Sequence, residues 1–176
     1  MIFPLRDDIP SRTFPVMMYL VMVACGAAFF YTMALPSLDA MARLFTTYGV
    51  VPTRFTGHGG SGPVALPVPL VTSLFLHGGW AHLLGNMLFL WIFADNVEDA
   101  MGHGPFVVFY LICGVVANLA HILANPLSGE PTIGASGAIA GVLGAYLVLY
   151  PRAHVQLMVW LLIFYVRVIW VPAVLF

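Results

Sequence analysis

Residues 14–35 contain no charged side chain and are almost entirely apolar. A helix needs roughly 20 apolar residues to cross the hydrocarbon core of a bilayer. This run is therefore long enough to be a membrane span, and Pro36 marks its end. The whole chain agrees, because 61% of its 176 residues are hydrophobic, only 7% are charged and the mean hydropathy is +0.99. We expect a polytopic integral membrane protein.

The same composition argues against several other classes of protein. The chain has no lysine and a net charge of −1, so it carries no basic surface for nucleic acid. Cys25 and Cys113 both lie in apolar runs, and we interpret them as buried hydrophobic residues rather than as a disulfide or a metal site.

Apolar length predicts spans at about 14–35, 80–102, 105–124 and 136–150, after a polar N-terminal tail at 1–13. Residues 155–176 are also apolar, but Arg167 lies near their middle and Pro172 would break a helix. We favour a linker on the membrane surface followed by the start of a fifth span, with a complete fifth span as the alternative. The predicted fold is an all-α bundle with four spans, an incomplete fifth and one membrane domain at 14–176.

The long segment before the second predicted span, 37–69, is interpreted as a loop that lies partly in the membrane interface. Its glycine-rich part at 57–62 is interpreted as a flexible linker. Three arginines flank the first and fourth spans on one side, against two in this loop, which places the N-terminus in the cytoplasm. The arginines compared are Arg6, Arg12 and Arg152 against Arg43 and Arg54.

The fourth predicted helix is short, because 15 residues from Ser136 to Tyr150 span only about 22 Å. If the end near Pro151 lies at one interface, Ser136 lies below the other, where a hydroxyl needs a protein-lined pocket. Small residues recur every four positions on two adjacent rows of this helix, as in closely packed membrane helices. The rows are Ser136, Ala140 and Gly144, and Gly137, Gly141 and Ala145. From the spacing alone, simple packing, with Ser136 as one more small residue, is the favoured explanation of this pattern.

The second and fourth predicted spans run in the same direction, so His82 and Ser136 lie on the same side of the membrane. Asn86 follows His82 by one helical turn and shares its face. Polar groups inside a membrane are costly and point to function. An imidazole and a carboxamide on one face suit an oxyanion hole, completed by the backbone N–H of Ser136. A lone serine between glycines is weak evidence for a nucleophile without such partners.

Each of these polar residues also has a structural explanation. Asn86 fits a hydrogen bond between helices, and His82 and His77 fit interfacial histidines. We interpret His121 as structural or cavity-lining and Glu98 as an anchor or ion-pair partner. A metal site is not favoured, because no carboxylate or close pair of histidines accompanies these residues.

Three stretches of this chain resemble the rhomboid intramembrane serine proteases. They are residues 75–87 (FLHGGWAHLLGNM), 97–102 (VEDAMG) and 134–137 (GASG), and the likeness covers about 66–152. The combination of His-x4-His-x3-Asn with a later Gly-x-Ser-Gly is specific, whereas neither motif is specific alone.

The resemblance implies a six- or seven-span helical bundle that cleaves transmembrane protein substrates in the bilayer without a cofactor. It implies that Ser136 is the nucleophile and that His82 and Asn86 are oxyanion-hole donors. His77 would order the loop above the site, with Gly134 and Gly137 in support. Glu98 and Gly102 would anchor the second span.

The family's general base, a histidine on the sixth span, has no counterpart in this chain. His154 lies at the wrong end of the fourth helix, and His121 lacks the family's setting for a base. We therefore expect the given chain to be C-terminally incomplete and inactive alone. The alternative is a non-catalytic rhomboid-like protein that binds transmembrane helices. The expected location is a bacterial inner membrane.

Overall fold

The computed structural model describes residues 2–58, 67–159 and 162–168. Within these ranges the chain is mostly helical, with seven α-helices and three strands. The helices are α1 (Val16–Met33), α2 (Leu38–Tyr48), α3 (Pro52–Phe55), α4 (Pro67–Thr72), α5 (Trp80–Met101), α6 (His103–Ala124) and α7 (Ser136–Leu149). The strands are β1 (Ile2–Asp7), β2 (His154–Val159) and β3 (Leu162–Arg167).

Two of the described helices, α1 and α6, are long and apolar enough to cross a membrane. α5 is as long as α6, with 22 residues each. It is more polar, because it contains His82, Asn86, Asp95 and Asn96. α7 is apolar but has only 14 residues, which is about 21 Å. The length and apolar composition of these helices are consistent with an integral membrane protein. The number of spans stays a prediction.

α7 packs closely on α6 because two of its glycines leave no room between the helices. A Cβ atom on Gly137 would lie 2.5 Å from the Cβ of Ala117, and one on Gly141 would lie 2.5 Å from the Cβ of Cys113. One of the two small-residue rows is therefore covered by α6. The other row is accessible and faces an open cavity: Ser136, Ala140 and Gly144.

α1 and α5 are joined where the end of α5 meets the start of α1. The carboxylate of Glu98 is fully buried and accepts hydrogen bonds from the backbone N–H groups of Met17 (2.9 Å) and Met18 (2.8 Å). These two donors lie in the first turn of α1, where no partner exists within the helix. The imidazole of His103 contacts the same carboxylate through its Nδ1. Glu98 thus caps α1 and ties it to α5 and α6.

The prediction of an all-α fold is wrong in one respect, because the structure contains a three-stranded antiparallel sheet in the order β1-β2-β3. Part of the predicted tail (1–13) forms β1, and the predicted linker and start of a fifth span form β2 and β3 as far as Arg167. Val155 and Leu157 are buried while His154 and Gln156 are partly exposed, which is the two-residue period of a strand. The remainder of the predicted fifth span, 169–176, lies outside the described residues.

The predicted loop at 37–69 contains helices α2, α3 and the start of α4. α2 begins after Ser37, whose Oγ accepts a hydrogen bond from the N–H of Ala40 at 3.2 Å. This is a standard N-cap. Most of the glycine-rich stretch at 57–62 lies outside the described residues.

Candidate active site

α5 and α7 run side by side and bring three predicted site residues to one cavity. His82 and Asn86 lie one turn apart near the start of α5, and Ser136 is the first residue of α7. All three line a cavity of about 490 Å³. The rest of its lining is apolar: Ala81, Gly85, Phe89, Ile139, Ala140, Leu143, Gly144 and Leu147.

Ser136 stands at the N-terminal end of α7 with its side chain accessible. Its Oγ makes no hydrogen bond to another described residue. The first backbone N–H groups of a helix have no partner within it and carry a partial positive charge. A negatively charged oxygen beside Ser136 would therefore be stabilised by the backbone alone.

Asn86 adds a side-chain donor to this cavity. The residue is 9% exposed, and its Nδ2 has no hydrogen-bond partner among the described residues. Leaving such a buried donor unpaired costs about 1–3 kcal/mol. Unpaired polar groups in a folded protein require an explanation, and a bound ligand atom is one. Asn86 thus brings a buried, unpartnered amide donor to the wall of the cavity.

Gly134 lies directly against the imidazole of His82. Its φ angle is +125°, and a Cβ atom there would lie 2.5 Å from Nε2 of His82 and 3.8 Å from Nδ2 of Asn86. The positive φ disfavours a side chain, and the ring leaves no space for one. The first glycine of Gly-x-Ser-Gly is thus required by this contact.

His77 is completely buried beside His82, with the two ring centroids 5.0 Å apart. Its Nδ1 lies 3.2 Å from the carbonyl oxygen of Phe75. Because a carbonyl only accepts, Nδ1 carries the proton, and Nε2 has no partner among the described residues. Burial, followed by the proximity of His82, lowers the pKa of His77 to about 4, so the ring is neutral near pH 7.

The other candidates lie away from this cavity or have other roles. Glu98 is 16 residues after His82 on α5, or about 24 Å along the helix, and it caps α1. Gly137 packs against Ala117 of α6. In the part of the chain that the structure describes, no group of three or more His, Cys, Asp or Glu residues could hold a metal ion.

Asn118 is not among the residues predicted from the sequence; it lies three residues before His121 and shares its face of α6. The side chain of Asn118 is 7% exposed and donates to the Ser73 Oγ and to the Leu70 carbonyl, both at 2.9 Å. A polar pair at helical spacing in a very apolar helix was the signal that could have identified it.

Comparison with known proteins places this chain in a family. The model of the Rhomboid domain matches residues 67–176. The mouse presenilin-associated rhomboid-like protein, mitochondrial, is 31% identical over 140 residues, which cover 77% of this chain and 33% of that protein.

Two proteins of Bacillus subtilis match a shorter part of the chain. The rhomboid protease GluP is 44% identical over 78 residues, which cover 44% of this chain and 15% of its own. The putative rhomboid protease YdcA is 37% identical over 78 residues, which cover 44% of this chain and 39% of its own. The chain therefore spans well under half of the length of each of these relatives.

Proposed function

Because this chain belongs to the rhomboid family, we propose that it is a serine endopeptidase that cleaves transmembrane proteins within the bilayer, with Ser136 as the nucleophile. The observation that carries this proposal is the shared cavity of Ser136, His82 and Asn86. A nucleophile with two donors on a parallel helix is the arrangement that acyl transfer requires.

The reaction divides into two steps at Ser136. Oγ attacks the scissile carbonyl carbon and loses its proton to a general base, and the carbonyl oxygen becomes an oxyanion. The Asn86 Nδ2, a ring N–H of His82 and the N–H of Ser136 donate to this oxyanion. The amide bond then breaks, the amine leaves with the proton, and water hydrolyses the acyl-enzyme.

The general base is not assigned to a described residue. His82 is the one described histidine that lines the cavity, and it serves here as a donor to the oxyanion. By resemblance, the family takes its base from a histidine on a sixth span, so a Ser–His dyad is the proposed catalytic unit.

The proposed membrane arrangement has α1, α5, α6 and α7 as spans, with the N-terminus in the cytoplasm. In this arrangement the heads of α5 and α7 lie on the far side, and Ser136 lies below the surface because α7 is short. A bacterial inner membrane stays a prediction, since relatives from mitochondria and chloroplasts also match.

The proposal is tested by labelling the full-length natural protein, in proteoliposomes, with a serine-directed fluorophosphonate. We expect labelling of the parent and none of Ser136→Ala, together with Ser136-dependent cleavage of a single-span membrane protein. Labelling that persists in Ser136→Ala would overturn the assignment.

The alternative is a non-catalytic rhomboid-like protein that binds transmembrane helices. The small residues that line the cavity favour it, because Ala81, Gly85, Ala140 and Gly144 would let a helix approach closely. It predicts crosslinking of a single-span protein to this cavity without labelling or cleavage of the parent.

A further inference from the structure

The C-terminal half of α6 carries two polar side chains on a face that does not line the large cavity. Asn118 and His121 are three residues apart, so they lie side by side among apolar residues of this helix. Polar groups at such positions cost free energy and persist where they have a function. His121 contacts Thr132 in the segment that leads into α7. Asn118 contacts Ser73, which in turn bonds to Gly134 of that segment.

The first connection runs from His121 to Thr132. The Nε2 atom of His121 lies 2.8 Å from Thr132 Oγ1. The backbone of Thr132 pairs with Val50 through two hydrogen bonds of 2.8 and 3.0 Å. Thr132 is thus held by α6 through its side chain and by the first loop through its backbone.

The second connection runs from Asn118 through Ser73 to Gly134. Asn118 Nδ2 donates to Ser73 Oγ and to the carbonyl of Leu70, both at 2.9 Å. The carbonyl of Ser73 accepts from the N–H of Gly134 at 2.8 Å. Gly134 is therefore held by this hydrogen bond in addition to its contact with His82.

Residues 132–134, which lead into α7, border an empty space, so hydrogen bonds are needed to hold them in place. A second cavity, of about 180 Å³, lies between the segment and α6 and is lined by both connected regions. Its lining is Leu74, Ala117, Asn118, His121, Thr132, Ile133, Gly134, Ser136 and Gly137. Without the two hydrogen-bonded connections, the segment could move into this space and carry Ser136 away from His82 and Asn86.

We infer that His121 and Asn118 are positioning residues that hold residues 132–134 and thereby aim Ser136 at the oxyanion donors. This inference rests on the proposed function, since it concerns the same nucleophile. Neither side chain lines the cavity that would receive the substrate. Their effect should therefore appear in the rate of acylation and not in the affinity for the substrate.

The test compares single and double variants of the His121–Thr132 pair in the full-length natural protein. His121→Leu and Thr132→Val remove one partner each, whereas His121→Gln and Thr132→Ser each retain a group that can form the bond. Labelling by the fluorophosphonate is measured as a maximal rate and a half-saturating concentration. His154→Leu serves as the control, because His154 lies at the other end of α7.

We expect His121→Leu and Thr132→Val each to lower the maximal rate by about tenfold or more, because small misplacements of reacting groups are costly. The half-saturating concentration should not change. The double variant should be no slower than the slower single variant, since both remove the same bond. His121→Gln, Thr132→Ser and His154→Leu should label within about twofold of the parent.

Hydrogen exchange provides a measurement that does not depend on catalysis. His121→Leu should raise the exchange rate of the amides at 132–136 and leave those of α5 unchanged. Unchanged exchange at 132–136 would overturn the connection itself. Faster exchange with an unchanged maximal rate of labelling would overturn the positioning role. If the parent is not labelled, the proposed function fails, while the exchange result still decides whether the connection exists.

Discussion

Gly134, in the segment just before α7, contacts the imidazole of His82 on α5, and the contact leaves no space for a side chain on the glycine. A Cβ atom on Gly134 would approach Nε2 of His82 to 2.5 Å. This relationship joins the two motifs of the sequence physically. Gly134, two residues before Ser136, limits how near His82, a proposed oxyanion donor, can come to the start of α7.

Replacing Gly134 with alanine should therefore damage the site. The φ angle of +125° is strained for any L-residue, at a cost of about 1–3 kcal/mol. We expect a lower free energy of unfolding and a loss of labelling at Ser136 of at least about tenfold. The measurement is chemical unfolding in detergent together with the labelling rate. Normal labelling of Gly134→Ala would show that the contact does not matter for the site.

Asn86→Ala should lower the rate of substrate cleavage without lowering the free energy of unfolding. Because Nδ2 of Asn86 has no partner among the described residues, its removal should leave the free energy of unfolding unchanged or raise it. If Asn86 is the oxyanion donor proposed above, its loss should lower the rate of substrate cleavage by about 10²–10³-fold. Thermal unfolding and cleavage of a single-span protein are measured on the same preparation. A variant that is strongly destabilised would identify Asn86 as a hydrogen bond between helices instead.

Replacing a glycine with alanine should change the free energy of unfolding differently in the two small-residue rows of α7. Gly141→Ala should lower the free energy of unfolding by about 1–3 kcal/mol, because the new methyl group would collide with Cys113 of α6. Gly144→Ala is the matched control, since no atom lies within 4 Å of its Cβ position. It should be neutral or stabilise the helix by up to about 1 kcal/mol. Equal effects of the two variants would contradict the observed packing of α7.

Glu98→Ala should lower the free energy of unfolding, although Glu98 lies at the end of α5 that is remote from the candidate active site. Two backbone N–H groups of α1 lose their acceptor, at a cost of about 1–3 kcal/mol. Glu98→Gln keeps an acceptor oxygen and should lose less. Labelling of the folded fraction at Ser136 should stay normal, because Glu98 and His82 are separated by about 24 Å of helix. Slow labelling of folded Glu98→Ala would contradict this expectation and show that Glu98 affects the geometry of the site.

Several elements could be predicted because their signals are local. Apolar runs and proline or glycine boundaries predicted helices at 80–102, 105–124 and 136–150, and the structure has them within two residues. The helical spacing of His82 and Asn86 predicted a shared face. Local signals also identified the small-residue rows of α7, although not which row α6 would cover.

The sheet and the two connections behind Ser136 could not be predicted in this way. β1 pairs with β2 across about 150 residues of chain, and no window of sequence contains both strands. The backbone partners of Asn118 and Glu98 lie 48 to 81 residues away. A backbone donor or acceptor has no signature in the amino-acid sequence.

The sequence by itself determined that this chain is a membrane protein with apolar helices, and which polar residues those helices carry. These properties depend on composition and on the spacing of residues along single helices. The tertiary structure decided which faces meet: Gly134 against His82, Gly141 against Cys113, and Glu98 at the start of α1. The physical reason is that such contacts depend on how each helix is rotated and placed against its neighbours, and this is the result of packing the whole chain at once.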